Sequence, residues 1–233
     1  MARARDGGLD AADLMPMPPS TPRLRFSAGR AYGHLRAADP VVARLIDQHG
    51  RYRPRPTVDA WSSLVRTILF QQLAGAAART IERRFYALHG DETRTPTPLE
   101  VLATSDEAFR AAGVSRQKAS YLRDLAAHVL DDRIDFAALG HASDPEVIEA
   151  LTAVRGLGEW SAQMFLMFDL GRPDVLPVGD LGVRLGMAKA YELPSTPTPK
   201  EALAIGAPWA PYRSVGSWYM WRAVETVTPD ASP

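Results

Sequence analysis

The sequence contains no cysteine among its 233 residues. That absence excludes disulfide bonds, zinc sites with thiolate ligands, iron–sulfur clusters and a cysteine nucleophile. Lysine is scarce as well, because only Lys118, Lys189 and Lys200 occur among the 27 basic residues. Positive charge is therefore carried mainly by arginine, which favours bidentate and stacked contacts over the point charge of an ammonium group.

The chain has no excess of charge of either sign and no long apolar run. Its 27 acidic residues balance the 27 basic ones, which excludes a polybasic tail protein. A nucleic-acid binder with its positive charge confined to one face stays possible. No apolar stretch approaches the ~20 residues that cross a membrane, and residues 1–26 lack the apolar core of a signal peptide. We expect a cytoplasmic protein with no membrane partner.

Hydrophobic periodicity predicts an all-α fold. Residues 1–26 are rich in proline and glycine and are predicted to form a disordered tail. From Ala38 onward apolar residues recur at three- and four-residue steps, and no segment alternates with a period of two. Cap residues before these segments and glycines after them mark helix ends. The predicted helices cover about 40–49, 59–69, 76–88, 106–112, 116–130, 145–153, 159–169, 180–190, 199–205 and 215–226.

Two proline-rich segments divide the chain. They are Arg53-Pro54-Arg55-Pro56 and the stretch 171–177, and we interpret both as hinges. The prediction is a two-lobed molecule with a central lobe of residues 57–172. The outer lobe would combine residues 27–56 with residues 173–233. No repeat of 20–50 residues occurs, which disfavours a helical solenoid.

A glycine-rich turn between two predicted helices is the most informative segment. It has the sequence LTAVRGLGEWSAQMF over residues 151–165. Gly156 and Gly158 allow a tight turn and a close approach of the backbone to a ligand. The N–H groups of Gly158, Glu159 and Trp160 point beyond the helix start, where a DNA phosphate suits both the donors and the helix dipole. For the two glycines taken alone, an ordinary turn with a glycine cap is the better explanation.

Four further motifs accompany this hairpin in a fixed order. They are ILFQQLAGAAARTI (68–81), GVSRQKASYLRDLA (113–126), DVLPVGDLGVRLG (174–186) and PWAPYRSVGSWYMWR (208–222). Together with the hairpin they resemble the helix-hairpin-helix DNA glycosylases, specifically the DNA-3-methyladenine glycosylase II (AlkA-like) branch. The resemblance covers about residues 57–222 without large gaps. It implies the two-lobed helical helix-hairpin-helix glycosylase fold, with the hairpin at about 147–169.

The resemblance implies a monofunctional DNA glycosylase whose partner is duplex DNA. Such an enzyme flips an alkylated base, of the 3-methyladenine or 7-methylguanine type, and hydrolyses its N-glycosidic bond in base excision repair. Members that also act as lyases carry a lysine where this chain has Trp160, so no Schiff base is expected. We expect a monomer that requires no cofactor.

Two alternatives stay open. One is a glycosylase for uracil, deaminated or oxidised bases, and the other is a non-catalytic helix-hairpin-helix module. Asp180 together with Trp160 argues against the module, because bare phosphate binding needs neither side chain.

By this resemblance Asp180 is the catalytic aspartate. Cleavage of an N-glycosidic bond builds oxocarbenium character on the sugar, which a carboxylate stabilises electrostatically. The same carboxylate can orient or deprotonate the attacking water. Asp180 also fits the N-cap of the helix that follows it, and the two roles are compatible.

The resemblance also assigns residues to a base pocket. Trp160 and Tyr212 match pocket positions of the family, and Trp218 is a further candidate. Electron-rich rings attract an N-alkylated purine because that base is cationic. Of Trp218 and Trp221, at least one is expected to be core. Met164 stands where some relatives have an aromatic residue.

Other residues are expected to contact DNA outside the pocket. Gln72, beside Gln71, would replace the expelled base in the stack, although a solvated pair of glutamines is an equal alternative. Arg116 and Lys118 lie in the first turn of a helix, where cations oppose the dipole, so a bound anion would explain them. The hairpin would contribute Gly156, Gly158, Glu159 and Ser161.

A hairpin of this family can also hold a monovalent cation, Na⁺ or K⁺, through backbone carbonyls. In this chain those would be the carbonyls of Thr152, Val154 and Gly156. The five histidines are scattered with no i,i+4 pair, so no zinc site is predicted. Arg213 is expected to form a structural ion pair.

Overall fold

The computed structural model describes residues 25–52 and 59–225 of the chain. Within these ranges the fold is helical and contains no β-strand, so the all-α prediction is confirmed. None of the described helices is long and apolar enough to cross a membrane. The helices are α1 (Ala28–Ala38), α2 (Pro40–His49), α3 (Ala60–Phe70), α4 (Gly75–Ala87), α5 (Pro98–Ala103), α6 (Asp106–Ala112), α7 (Arg116–Leu130), α8 (Phe136–His141), α9 (Asp144–Thr152), α10 (Glu159–Met164), α11 (Leu181–Ala190), α12 (Pro199–Gly206) and α13 (Arg213–Glu225).

Side-chain caps explain where many of these helices begin. Three helices that periodicity did not predict individually, α1, α5 and α8, start after Ser27, Thr97 and Asp135, whose side chains accept hydrogen bonds from the first-turn backbone. The cap signal was therefore present in the sequence. Two of these helices have only six residues, which is too short for an apolar repeat to emerge.

The helix predicted over 159–169 is an α-helix only as far as Met164. It then widens into a π-helical segment, Phe165–Asp169. Single π-helical turns within α-helices occur frequently at functional sites. Here the segment follows the helix that the glycine-rich hairpin begins.

Buried side chains form two clusters. The first extends from Leu64 to Val175, and the second joins residues 31–52 to residues 176–223. The predicted boundary between a central and an outer lobe, after residue 172, lies close to this change of cluster. Trp221 packs against both clusters, which places it where the two meet. The division into lobes stays a prediction, which the clusters support.

Parts of the predicted tail and one predicted hinge lie outside the described residues, namely residues 1–24 and the hinge 53–56. The last two tail residues, Arg25 and Phe26, contact the fold. The Arg25 side chain donates to the carbonyl of Gly140, and the ring of Phe26 lies 5.9 Å from that of Tyr212.

The loop that precedes Asp180 is bound to the start of α13 by an ion pair and a hydrogen bond. Arg213 forms a bidentate ion pair with Asp174, with Nε–Oδ1 at 2.7 Å and Nη2–Oδ2 at 2.8 Å. The buried Ser214 hydroxyl accepts the backbone N–H of Val175 at 2.9 Å. The predicted structural ion pair of Arg213 is thus confirmed, and it orders the segment from which α11 begins.

Candidate active site

The Asp180 carboxylate receives three N–H donors. Its Oδ1 accepts the backbone N–H of Val183 at 2.7 Å and the indole Nε1–H of Trp221 at 2.9 Å. Its Oδ2 accepts the indole Nε1–H of Trp160 at 2.6 Å. The Val183 bond is the helix cap predicted for Asp180. A helix start and two indoles from different helices therefore hold this half-buried carboxylate in one orientation.

Trp160 is the exposed member of this group. It lies in the first turn of α10, and 47% of its surface is exposed. Because the indole N–H is bound to Asp180 while nearly half of the residue meets solvent, Trp160 is not a core residue. Part of its surface is free to contact a ligand.

A cleft of about 630 Å³ opens beside Trp160. This volume is within the range of small-molecule sites and is ample for a nucleobase. Residues that the sequence predicted to bind base or DNA form much of the lining. They are Gln71, Gln72, Lys118, Gly156, Trp160 and Met164.

The hairpin rests on α7. Gly156 has a φ of 87°, and a Cβ at this position would collide with the ring of Tyr121. Asp124 accepts the backbone N–H of Arg155 at 2.8 Å and forms an ion pair with its side chain at 3.2 Å. The sequence motif around α7 had been recognised, but neither Tyr121 nor Asp124 had been given a role.

Gly158 differs from Gly156 in what surrounds it. Its backbone is extended, with φ −105° and ψ 178°, and a Cβ there would meet no atom within 4 Å. Glycine is thus required at 156 by the turn and by Tyr121. At 158 the fold leaves open space in front of the α10 N-terminus.

The loop between α3 and α4 presents two side chains to solvent. Gln72 is exposed and has a φ of 57°, a left-handed conformation that is uncommon for residues other than glycine. Leu73, which sequence reasoning missed, is 38% exposed. Gln71 faces inward, and its Nε2–H donates to the carbonyl of Gly156 at 2.7 Å. The loop is therefore tied to the hairpin while Gln72 projects outward.

The two cations predicted at the start of α7 have different surroundings. Arg116 is exposed. The Nζ of Lys118 donates to the carbonyl of Leu69 at 2.6 Å, near the end of α3, and burial lowers the pKa of Lys118. This contact explains Lys118 without a bound anion. Contact of either residue with DNA stays a prediction.

Tyr212 and Trp218 pack within a cluster of aromatic rings. The ring neighbours are Phe26 and His34 for Tyr212, and Tyr52 and Tyr219 for Trp218, at centroid distances of 5.0–5.9 Å. Within residues 25–52 and 59–225, no hydrogen bond or ring contact joins either residue to Asp180 or Trp160. Their place in a base pocket stays a prediction. Trp221, for which a place in the core was one expectation, is the aromatic residue of α13 that reaches Asp180.

The remaining hairpin residues are mostly engaged within the protein. Ser161 is buried, with 6% of its surface exposed. Glu159 accepts a hydrogen bond from Gln163 at 3.0 Å. Both residues stay predicted DNA contacts.

Two of the three predicted cation ligands, Val154 and Gly156, also have protein partners. The Val154 carbonyl accepts the N–H of Leu157 at 3.1 Å, and the Gly156 carbonyl accepts Gln71. Each carbonyl keeps a second lone pair, so a monovalent cation at Thr152, Val154 and Gly156 fits the donor set and stays a prediction. Among the residues that the structure describes, no three His, Cys, Asp or Glu side chains form a metal-binding group.

A buried carboxyl lies behind the wall of the cleft. Ser63 lines the cleft, and its Oγ–H donates to Oδ2 of Asp169 at 2.9 Å. Burial raises the pKa of Asp169 to about 7. The end of the π-helical segment therefore carries a carboxyl group with a raised pKa, which the sequence did not suggest.

Comparison with known proteins bears on this arrangement. Residues 65–211 match the model of the HhH-GPD superfamily, described as base excision DNA repair proteins. DNA-3-methyladenine glycosylase 1 of Schizosaccharomyces pombe is 33% identical over 200 residues, which cover 84% of this chain and 87% of that protein.

Solved structures show the same likeness. The crystal structure of a DNA-3-methyladenine glycosidase from Bacillus halodurans has a TM-score of 0.77 at 37% identity, and the match covers 86% of this chain and 91% of that one. The 3-methyladenine DNA glycosylase of S. pombe, solved in complex with abasic DNA, has a TM-score of 0.76 at 32% identity. That match covers 88% of this chain and all of the other.

Proposed function

The chain belongs to the HhH-GPD superfamily of base excision DNA repair proteins, and we propose that it is a monofunctional DNA-3-methyladenine glycosylase. It flips an alkylated base out of duplex DNA and hydrolyses the N-glycosidic bond. The observation that carries the proposal is the Asp180 carboxylate, which is hydrogen-bonded to Trp160 at 2.6 Å beside a cleft that Trp160 lines. The relatives from S. pombe and Bacillus halodurans, both named for 3-methyladenine, support the substrate class.

The proposed chemistry needs one well-placed anion. An N-alkylated purine is already cationic, so when the C1′–N bond breaks it leaves as a neutral base with the electron pair of that bond. Positive charge then develops on the sugar, and the Asp180 carboxylate stabilises it. Water adds to C1′ and gives a proton to the Asp180 carboxylate, which passes it to solvent, and this completes the hydrolysis.

The positions of the lysines support hydrolysis without a lyase step. Trp160 occupies the place where lyase relatives are expected to carry their lysine. Lys118 and Lys189 donate to backbone carbonyls at 2.6 and 2.7 Å, and Lys200 lies in the first turn of α12. No lysine is thus placed beside Asp180 by any contact among residues 25–52 and 59–225.

Trp160 and Met164 are the proposed walls of the base site, because both line the cleft. Gln72 is the residue proposed to fill the gap in the base stack. The substrate places the protein with chromosomal DNA, in a bacterial cell at the nucleoid in the cytoplasm. We propose that it acts there as a monomer.

Release of free base tests the proposed function. Purified protein is incubated with duplex DNA that has been methylated, and separately with duplexes that carry uracil, hypoxanthine or 8-oxoguanine. We expect 3-methyladenine and 7-methylguanine among the released bases. Release confined to the deaminated or oxidised duplexes would support the alternative glycosylase. Duplex binding with no release from any substrate would support a non-catalytic module.

Substitution of Gly158 by aspartate should weaken DNA binding without harming the fold. The added Cβ enters open space, and aspartate is a favourable N-cap for α10. Its charge would repel a phosphate at the hairpin. A charge-assisted contact contributes roughly 1.5–3 kcal/mol, so we expect at least roughly tenfold weaker binding. Fluorescence anisotropy at several salt concentrations should show a slope smaller by about one phosphate.

Gly158→Ser is the matched control, because serine adds a Cβ and a helix cap but no charge. It should weaken binding much less than Gly158→Asp. The aspartate variant should lose affinity equally for damaged and undamaged duplexes, since a phosphate contact carries no information about the base. Unchanged affinity in the aspartate variant would remove the hairpin from the DNA interface.

A further inference from the structure

We propose that Gly182 and Trp221 are positioning residues for Asp180. Gly182 leaves the first turn of α11 free of a side chain, so that the Trp221 indole can donate to the Asp180 carboxylate. This inference rests on the proposed function, because it assigns the two residues to the reaction of Asp180.

The backbone gives no reason for a glycine at 182. The residue is the second of α11, and it is not among the glycines with positive φ. Glycine has a lower helix propensity than alanine. The reason for glycine at this position must therefore lie in what surrounds it.

The surroundings of Gly182 are the two groups that form the hydrogen bond. A Cβ at this position would lie 2.9 Å from Cδ1 of Trp221, 3.1 Å from its Nε1 and 3.1 Å from Oδ1 of Asp180. Real Cβ atoms essentially never come within 3.0 Å of such a neighbour. Any side chain at 182 must therefore displace the indole, the carboxylate or both.

The indole has little freedom to give way. Trp221 packs against both buried clusters, and its ring lies 5.9 Å from that of Phe168 in the π-helical segment. One turn after Gly182, a Cβ at Gly186 would collide with the backbone carbonyl of Met220. Two glycines on one face of α11 thus allow α13 to approach closely, and Gly182 is the one that faces Trp221.

The hydrogen bond from Trp221 restricts how the carboxylate can turn. Oδ1 already caps α11 through Val183, so the indole N–H is a second donor to the same oxygen at 2.9 Å. Rotation of the carboxylate would break both bonds and the bond from Trp160. A reacting group held in this way needs no reorganisation when charge develops on the sugar, and misplacement by about 1 Å can cost roughly 100-fold in rate.

Gly182→Ala is the first test. Single-turnover excision of 7-methylguanine should be slower by roughly 10- to 100-fold, while the Kd for an abasic duplex changes by less than about twofold. A purely structural role would lower the melting temperature without this split between rate and affinity. Gly179→Ala is the matched control: Gly179 is exposed, and a Cβ there meets no atom within 4 Å. It should leave rate, affinity and melting temperature unchanged.

Trp221→Phe is the second test, and it holds even where Gly182→Ala does not fold. Phenylalanine keeps a ring in the same place but has no N–H donor, so the excision rate should fall by roughly tenfold, the effect of losing about one hydrogen bond. In the double variant, Gly182→Ala should slow the reaction by less than about threefold beyond Trp221→Phe, because the bond it disturbs is already absent. A wild-type rate in either single variant, or fully additive effects, would overturn the proposal.

Failure of the positioning role can be distinguished from failure of the proposed function. If the unmodified protein releases no base, the function itself is wrong. If it releases alkylated base and Asp180→Asn does not, while Gly182→Ala and Trp221→Phe both retain the full rate, the function stands and the positioning role fails.

Discussion

Replacement of Asp180 by asparagine should abolish base release while DNA affinity stays nearly unchanged. The amide has the shape of the carboxylate but no charge, so it cannot stabilise a cationic sugar. Loss of one such electrostatic contact costs roughly 10²–10³-fold in rate, and we expect at least that for the carboxylate that binds both Trp160 and Trp221.

The geometry adds to this effect. All three partners of the Asp180 carboxylate are N–H donors. Asparagine has one acceptor oxygen, and its NH₂ group would face a donor wherever it points. The amide therefore loses a hydrogen bond as well as the charge, which disturbs the alignment of the site.

The rate of base release is measured under single-turnover conditions on a 7-methylguanine duplex. The DNA affinity is measured by fluorescence anisotropy with an abasic duplex. Asparagine is itself a good N-cap, so the melting temperature should change little. Asp135→Asn is the control, because Asp135 caps α8 through two backbone N–H groups at 2.8 and 3.2 Å and is exposed. If Asp180→Asn kept most of the rate, the helix cap would be the only supported role of Asp180.

Replacement of Asp39 by alanine should lower the free energy of unfolding by about 3–5 kcal/mol. This side chain is 6% exposed. Its Oδ1 accepts the N–H groups of Val41 and Val42 at 2.9 and 3.2 Å. Its Oδ2 accepts the indole N–H of Trp209 at 2.8 Å and the hydroxyl of Tyr191.

Each lost contact contributes to the expected loss. Removal of a helix cap costs about 0.5–2 kcal/mol, and each buried donor left without a partner costs about 1–3 kcal/mol. Trp209 is fully buried, so bulk solvent does not reach its indole N–H. Burial raises the pKa of Tyr191, which keeps its hydroxyl protonated and in need of an acceptor.

Urea unfolding of Asp39→Ala and of Asp135→Ala separates the contribution of the helix cap from that of the buried hydrogen bonds. Asp135 is an exposed cap without aromatic partners, so its loss should cost about 1 kcal/mol. The difference between the variants is the contribution of Trp209 and Tyr191. Equal losses in the two variants would show that the buried network adds nothing to the cap.

Local signals account for the part of the fold that could be predicted. The sequence predicts cap residues ahead of the helical segments, and Asp39 before Pro40 and Asp180 before Leu181 both cap their helices. Caps of this kind depend on residues two or three positions apart, so the chain needs no tertiary contact to specify them. Each family motif is likewise a short run of neighbouring residues, so the motifs and their order could indicate the family.

Long-range contacts are the part that local patterns could not predict. Lys118 was expected to face an anion, yet it donates to a carbonyl 49 positions earlier in the chain. Gln71 was expected beside Gln72 at the DNA, yet it donates to Gly156, 85 positions away. Both residues stay predicted DNA contacts, and only the packing of distant elements shows which partner each has within the protein.

The sequence by itself determined the all-α class, the main helix starts, the glycine hairpin and Asp180 as a helix cap, because each depends on a local pattern. Only the tertiary structure decided which tryptophan of α13 meets Asp180. Trp218 and Trp221 are the same residue type, three positions apart on one helix, so helix propensity cannot tell them apart. The close approach of α11 to α13, which Gly182 and Gly186 permit, turns Trp221 toward the carboxylate and leaves Trp218 among other aromatic rings.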